Sequence, residues 1–180
     1  MKIIAIVGMA GAGKSEVAHL FEQSGYVRIR FGDVTDEEVG RRGLRLNETN
    51  ERFVREALRA EHGMAAYAIL NLPRIDALLK SSNVVVDGLY SWEEYMLLKE
   101  RYGGTLSLVA VWSSPSTRYQ RLGSRAVRPL TVDQAASRDK AEIENSNKGG
   151  PIAMADFTII NESSIEELEK EAKRVLAALK

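Results

Sequence analysis

The chain has 180 residues, of which 44% are hydrophobic and 28% are charged, proportions typical of a globular domain with a hydrophobic core. Lysine plus arginine equals aspartate plus glutamate at 25 each, so no basic excess indicates a nucleic-acid partner. The absence of cysteine excludes disulfides, thiolate metal sites and a cysteine nucleophile. No apolar stretch approaches the roughly 18 residues of a membrane span. Because the first predicted strand starts at residue 2, we also expect no signal peptide. We therefore expect one domain, residues 1–180, in the cytoplasm, with no membrane or nucleic-acid partner.

Short apolar runs alternate with helical patterns along the chain. Five runs predict β-strands, at residues 2–7, 26–31, 83–87, 105–112 and 156–160. Strands that are apolar on both faces and separated by helices indicate a parallel sheet covered on both sides. The predicted fold class is α/β, in three layers. Because ligands in such sheets bind outside the carboxyl ends of the strands, the tips at 8–15, 31–36, 87–91 and 113–129 are predicted to meet around one cleft.

Helix starts are indicated by Ser or Thr followed three residues later by Glu or Gln, the capping-box spacing. This spacing occurs at Thr35/Glu38, Ser91/Glu94, Thr131/Gln134 and Ser163/Glu166. Residues 34–80 are predicted to form a helical insertion after the second strand. Breaks in this insertion are expected near residues 43–47, at Gly63 and at Pro73.

Residues 8–15 carry the complete pattern G-x-x-x-x-G-K-[ST], between an apolar strand and a helical pattern, which is the context that a phosphate-binding loop needs. Its glycines let backbone N–H groups surround an anion, and the next helix adds its positive N-terminal end. Lys14 is expected to reach the β- and γ-phosphates, and the Ser15 hydroxyl to bind Mg²⁺. The predicted nucleotide-binding residues here are Gly8, Met9, Ala10, Gly11, Ala12, Gly13, Lys14, Ser15 and Glu16.

Three classes of P-loop protein compete for this sequence. A GTPase normally carries N-K-x-D, and the nearest match, residues 147–150, ends in Gly150 without the carboxylate that reads guanine. A motor-type ATPase usually has Glu directly after the second acidic strand, where this chain has Asp87-Gly88. A small-molecule kinase needs an acid near Mg²⁺, an acceptor pocket and arginines over the transferred phosphoryl group. The chain offers candidates for each, so we expect ATP as the nucleotide.

Asp87, after three valines, is the predicted acid of the Mg²⁺ shell, although Asp-Gly is also an ordinary turn pair. Arginines 118, 121, 125 and 128 are spaced to share one helical face, and like charges gather where an anion neutralises them. Arg118, Arg121, Arg125 and Arg128 are therefore predicted to lie in a mobile lid over the phosphoryl group, the alternative being a solvated basic surface. For Arg138, a role in the site and a surface salt bridge are equally open.

Asp33 follows the second strand, where a carboxylate can face the acceptor and take a proton from an attacking hydroxyl. The alternative is an N-cap of the next helix. Because Thr35 also offers a cap, the sequence favours the catalytic role for Asp33.

Five segments recur in the same order in a known family: residues 8–15, 31–34, 84–88, 113–122 and 155–162. They resemble a mainly archaeal family of adenylate-kinase-related P-loop proteins, itself similar to dephospho-CoA kinases, and the resemblance covers nearly the whole chain. The combination of S-x-P-x-x-R-x-x-R with A-D-F-x-I-x-N is its most specific part. The resemblance implies a five-stranded sheet in the order 2-3-1-4-5, a lid at 113–145, adenine near Asn161 to Ser163, and Asp33 as general base.

Two positions depart from the adenylate-kinase pattern. Asp36 stands where those enzymes usually have an arginine after strand two, and Leu89-Tyr90-Ser91 replaces a second arginine after strand three. Since those arginines hold the acceptor's monophosphate, their absence favours a hydroxyl acceptor over AMP.

The sequence thus predicts an ATP- and Mg²⁺-dependent kinase of a small, nucleotide-like acceptor: a dephospho-CoA-like compound, a nucleoside or a nucleoside monophosphate. A nucleotide-dependent switch or regulatory ATPase that acts on a macromolecular partner remains the alternative.

Overall fold

Five parallel strands form the central sheet of the computed structural model, which describes residues 1–179. The strands are β1 (Ile3–Val7), β2 (Val27–Arg30), β3 (Val84–Asp87), β4 (Leu106–Trp112) and β5 (Phe157–Ile160). Their order, β2-β3-β1-β4-β5, is the predicted one, and each strand begins and ends within one residue of its prediction. The α/β fold class is confirmed.

Helices cover both faces of the sheet. They are α1 (Lys14–Gln23), α2 (Asp33–Arg41), α3 (Glu48–His62), α4 (Ala66–Leu78), α5 (Trp92–Tyr102), α6 (Pro115–Gly123), α7 (Val132–Glu144), α8 (Gly149–Ala153) and α9 (Ile165–Ala178). Within residues 1–179, no helix combines the length and apolarity needed to cross a membrane.

The central strand β1 is buried on both faces, so its side chains alternate between two hydrophobic cores. Ile3 and Ala5 belong to the core that α3, α4 and α5 cover, with Tyr67 and Leu98 among its buried residues. Ile4 belongs to the other core, which α1 and α9 cover. The sheet is therefore packed between two hydrophobic cores.

The insertion after β2 consists of α2, α3 and α4. The breaks predicted near 43–47 and at Gly63 are present, and Gly63 ends α3 with a positive φ of 78°. The break predicted at Pro73 is wrong, because Pro73 lies inside α4. Pro73 is exposed while Tyr67 and Ile75 are fully buried, so packing of the opposite face keeps the helix continuous.

Two of the four predicted caps are present. Thr131 forms a complete capping box with Gln134, and the Ser91 side chain accepts from the Glu94 N–H. The cap predicted at Thr35 is wrong, because α2 already begins at Asp33 and the Thr35 hydroxyl lies 2.5 Å from the Tyr67 hydroxyl. The cap predicted at Ser163 is displaced by one residue, to Ser164.

Candidate nucleotide-binding site

The phosphate-binding loop between β1 and α1 is held by the residues that surround it. Gly13 caps α1 in the left-handed region, with φ 99°, and a Cβ there would collide with the side-chain amide of Asn161. A Cβ at Gly8 would collide with the Val111 carbonyl of β4. Glycine is therefore required at both positions, by backbone conformation and by close approach.

Lys14 and Ser15 open helix α1 below this loop. The Lys14 ammonium donates to the Met9 carbonyl of its own loop at 3.1 Å. The pKa of Lys14 is lowered to about 7. Burial is the main cause, the nearby Lys148 ammonium also lowers the pKa, and the charges of Glu142 and Asp87 oppose the change. The surroundings of Lys14 thus do not fully compensate its positive charge. A buried cation of this kind attracts an anion such as phosphate.

Asp87 ends β3 beside the loop, and its Oδ2 accepts a hydrogen bond from the Ser15 hydroxyl at 3.1 Å. The structure thus brings the predicted Mg²⁺ residues Ser15 and Asp87 into contact. The same carboxylate oxygen pairs with the guanidinium of Arg28, a residue that the sequence reasoning missed. A charged side chain inside a predicted parallel strand was the available signal, because such strands are normally apolar.

Arg118 lies on α6, but it does not form part of a mobile lid. Its side chain is 4% exposed, and it donates to both oxygens of Asp139, at 2.8 and 2.6 Å. It also donates to the carbonyls of Ala10 and Ser113. These bonds occupy the guanidinium, so the predicted contact of Arg118 with a phosphoryl group is corrected to a role in anchoring the loop.

Two of the other predicted arginines, Arg125 and Arg128, do not share a helical face with Arg118, because α6 ends at Gly123. Arg121, still on the helix, donates to the Ser113 hydroxyl at 3.0 Å and to the Asn161 carbonyl at 3.1 Å. Arg125 and Arg128 lie in the turn before α7, and Arg128 pairs with Glu51 of α3. Burial lowers the pKa of Arg125, and the charges of Arg138 and Arg128 lower it further.

A cleft of about 370 Å³ opens beside the loop. Asn161 lies in its wall, where the side-chain amide donates to the Ala12 carbonyl at 2.9 Å. Arg121 holds the same asparagine through its carbonyl and side-chain oxygens. The residues that line the cleft are Gly11, Gly13, Lys14, Ser15, Glu16, Arg121, Arg125, Asn161, Ser163, Ile165 and Leu168.

Asp33 is the first residue of α2, at the tip of β2, and Gly32 holds the N-cap position that was the alternative for Asp33. Its carboxylate pairs with Arg30 at 2.9 Å and is 39% exposed. Asp36 lies 3.9 Å from Arg30. Burial raises the pKa of Asp36, while Arg128 and Arg30 oppose the rise. Charges of both signs therefore lie together at the tip of β2 and the start of α2.

A charged cluster around the buried Lys148 was missed by the sequence reasoning. Glu142 of α7 lies 2.9 Å from the Lys148 ammonium and 3.2 Å from Arg138. Arg138 also reaches Glu48 of α3 at 3.3 Å, so it links α7 to α3. Despite burial, which opposes the change, Lys148 and Arg138 drive the pKa of Glu142 far down. In the sequence, the i,i+4 spacing of Arg138 and Glu142 weakly indicated an ion pair between them. No local pattern indicated that Lys148 would join this pair.

Sheet order, loop and cleft together define a P-loop protein with the fold of nucleotide-dependent kinases. Residues 4–145 match the family described as AAA domain. The chain belongs to the UPF0200 family: it is 37% identical over 178 residues to a UPF0200 protein from Thermococcus kodakarensis, covering 97% of this chain and 96% of that one.

Solved structures show the same architecture at lower sequence identity. Shikimate kinase from Bacteroides thetaiotaomicron is 15% identical, with a TM-score of 0.65 and coverage of 99% of this chain and 98% of that one. A gluconokinase from Sinorhizobium meliloti is 21% identical, with a TM-score of 0.63 and coverage of 99% and 93%. At these identities the similarity establishes the fold.

Proposed function

We propose that this protein is an ATP- and Mg²⁺-dependent kinase that transfers the γ-phosphoryl group to a small, nucleotide-like acceptor. The observation that carries the proposal is the 3.1 Å contact between the Ser15 hydroxyl and the Asp87 carboxylate. It joins an intact phosphate-binding loop to an acid at the neighbouring strand tip, the arrangement on which phosphoryl transfer by P-loop proteins depends. The relation to dephospho-CoA kinases implied by the sequence supports the same reaction class.

The ATP phosphates would lie on the loop from Gly8 to Ser15, with the Lys14 ammonium toward the β- and γ-phosphates. The bound phosphates would supply the negative charge that the surroundings of Lys14 lack. The bound nucleotide and the buried Lys14 cation would therefore stabilise each other. The base would occupy the cleft beside Asn161 and Ser163, where Ile165 and Leu168 add an apolar wall. The absence of a carboxylate at Gly150 favours adenine over guanine.

The residues present fit a Mg²⁺ ion. Ser15 and Asp87 offer a hydroxyl and a carboxylate, and Mg²⁺ prefers such oxygen ligands, usually one or two from the protein beside phosphates and water. When bound, the ion would neutralise charge on the phosphate oxygens. Glu16, also in the loop's first helical turn, lies at the edge of the cleft.

In this proposal the predicted arginines have different tasks. Arg121 and Arg125, which both line the cleft, would neutralise the transferred phosphoryl group, since guanidinium groups match phosphate oxygens geometrically. Arg128 serves at the acceptor side, where it faces Glu51 and Asp36. Arg118 anchors the loop from below.

Asp33 would orient the acceptor hydroxyl and accept its proton while the hydroxyl oxygen bonds to the γ-phosphorus and the bond to ADP breaks. Arg30, whose guanidinium lies 2.9 Å from the Asp33 carboxylate, would hold that carboxylate in place. A hydroxyl acceptor, dephospho-CoA-like or a nucleoside, uses this base, whereas a nucleoside monophosphate would not need it.

The test is phosphate transfer from γ-labelled ATP with Mg²⁺ to a panel of dephospho-CoA, nucleosides and nucleoside monophosphates. We expect a labelled product with one acceptor, and we expect it to vanish in Lys14→Ala. Lys173→Ala, an exposed lysine on α9, is the matched control. Slow release of inorganic phosphate with every compound, without a labelled product, would overturn the kinase proposal and favour the switch or regulatory ATPase.

A further inference from the structure

Lys148 is a fully buried lysine, with 1% of its surface exposed, and the proposed function leaves it without a task. It lies between α7 and α8, next to Asn147, which has a positive φ of 49°. An ammonium group is rarely buried completely, because the loss of its hydration is unfavourable and must be offset by partners. Its placement therefore calls for an explanation.

Two side chains contact the Lys148 ammonium. The Glu142 carboxylate lies 2.9 Å away, and the centroid of the Tyr90 ring lies 5.2 Å away. The Tyr90 hydroxyl in turn packs against Gly88 and Gly32, which follow β3 and β2. The Tyr90 ring thus lies between Lys148 and the ends of β3 and β2, where Asp87 and Asp33 are located.

Glu142 connects Lys148 to Arg138. One carboxylate oxygen accepts from Lys148 and the other from the Arg138 Nε at 3.2 Å. The Arg138 Nη1 donates to Glu48 of α3 at 3.3 Å. The guanidinium is therefore clamped between two helices.

Contacts join Arg138 to the carboxyl ends of the strands. Arg138 contacts Glu142, and Glu142 contacts Lys148. Lys148 in turn lies against the ring of Tyr90, which follows β3. The charge of Arg138 also acts on Lys14 of the loop and on Arg125 of the turn before α7. A guanidinium in this location can face a phosphoryl group that moves from nucleotide to acceptor.

We propose that Lys148 is a positioning residue for phosphoryl transfer: it fixes Glu142, and Glu142 fixes the Arg138 guanidinium toward the transferred group. The inference rests on the proposed function and assigns within it a task to three charged residues. A purely structural role would not need the charges, because replacing a buried ion pair by apolar side chains of similar size is often neutral or stabilising. This difference makes the two roles separable.

The experiment measures binding of ADP and of ADP with aluminium fluoride and Mg²⁺, a mimic of the phosphoryl group in transit, so that no acceptor need be known. Wild-type protein should bind the mimic more tightly than ADP. In Lys148→Met/Glu142→Met, ADP affinity and Tm should stay close to wild type, while the extra affinity for the mimic falls about tenfold or more. Lys140→Met/Glu144→Met, which removes an exposed pair of the same helix, should keep it.

The second part of the experiment measures the same binding in Arg138→Met. If Lys148 and Glu142 act through Arg138, then Arg138→Met should lose the same extra affinity, and adding it to the double variant should cause little further loss. The same measurement on Glu142→Gln tests a smaller change, because glutamine keeps the shape of the side chain. Undiminished affinity of the Lys148/Glu142 variants for the mimic, or losses that multiply with Arg138→Met, would overturn the inference. Failure of the wild-type protein to bind ADP at all would instead overturn the proposed function.

Discussion

Arg118 of α6 and Asp139 of α7 form a buried, bidentate ion pair, with N–O distances of 2.8 and 2.6 Å. The same guanidinium donates to the Ala10 carbonyl of the phosphate-binding loop at 3.1 Å. The segment predicted to be a mobile lid is therefore tied to the loop at its first helix. Leu122 and Ala135 are fully buried around this pair, which adds apolar packing to the attachment.

Removing one partner of this pair should destabilise the protein. Arg118→Met leaves the Asp139 carboxylate buried without its cation, and such a loss typically costs about 3–5 kcal/mol. Urea denaturation should show a lower midpoint, and ATP affinity should fall because the loop loses its anchor. Arg174→Met, from an exposed pair on α9, should change the midpoint little. An Arg118→Met protein as stable as the control would show that the pair does not anchor the loop.

Asp87→Asn should uncouple nucleotide binding from Mg²⁺. The amide keeps the size of the side chain but loses the charge that a divalent cation needs. We expect Mg²⁺ to improve ATP affinity of the wild-type protein and to have little effect on the variant, as measured by calorimetry with and without the ion. Asp76→Asn, in an exposed pair with Arg101, serves as control. Equal Mg²⁺ dependence in both proteins would remove Asp87 from the metal site.

Asp33→Asn should spare ATP binding and impair transfer, because Asp33 lies at the tip of β2, outside the cleft that the loop lines. General-base assistance is worth about 10²–10⁴-fold in rate, so a loss in kcat of that order is expected with a hydroxyl acceptor. The readout is the initial rate of labelled product at saturating ATP. Glu37→Gln, on the same helix and exposed, should retain activity. A full transfer rate in Asp33→Asn would show that the base assignment is wrong.

Glu94 should make stability fall as pH rises. Burial raises the pKa of this carboxyl from 4.5 to about 7, and its Oε1 has no hydrogen-bond partner among residues 1–179. Between these two pKa values the folded state keeps a proton that the unfolded state has lost, so the folded state loses stability through that window. The total effect is up to about 3 kcal/mol, since one pKa unit corresponds to about 1.4 kcal/mol.

Glu94→Gln mimics the protonated carboxyl and removes this dependence. Compared with wild type in urea denaturation, it should be similar near pH 4.5 and more stable at pH 8. The difference between the two proteins isolates Glu94, because every other titrating group, Lys14 included, is common to both. A Glu94→Gln variant that is less stable by the same amount at each pH would show that the carboxyl is not protonated in the folded state.

The sequence by itself determined the sheet and the phosphate-binding loop. Both depend on local patterns: apolar runs that are buried on both faces, and a glycine spacing that only one loop conformation satisfies. The order of the strands was expected from resemblance and is confirmed. The helix boundaries at Pro73 and Thr35 were wrong because burial of Tyr67 and Ile75, which local propensity does not contain, decides them.

Tertiary structure alone decided which charged residues share an environment. Spacing could place Arg118, Arg121, Arg125 and Arg128 on one face, but only the packing of α6 and α7 shows that Arg118 is buried on Asp139 while Arg125 lines the cleft. The pairs Arg28–Asp87 and Arg138–Glu48 join residues 59 and 90 positions apart. The physical reason is that electrostatic interactions depend on distance and burial in space, and neither can be read from separation along the chain.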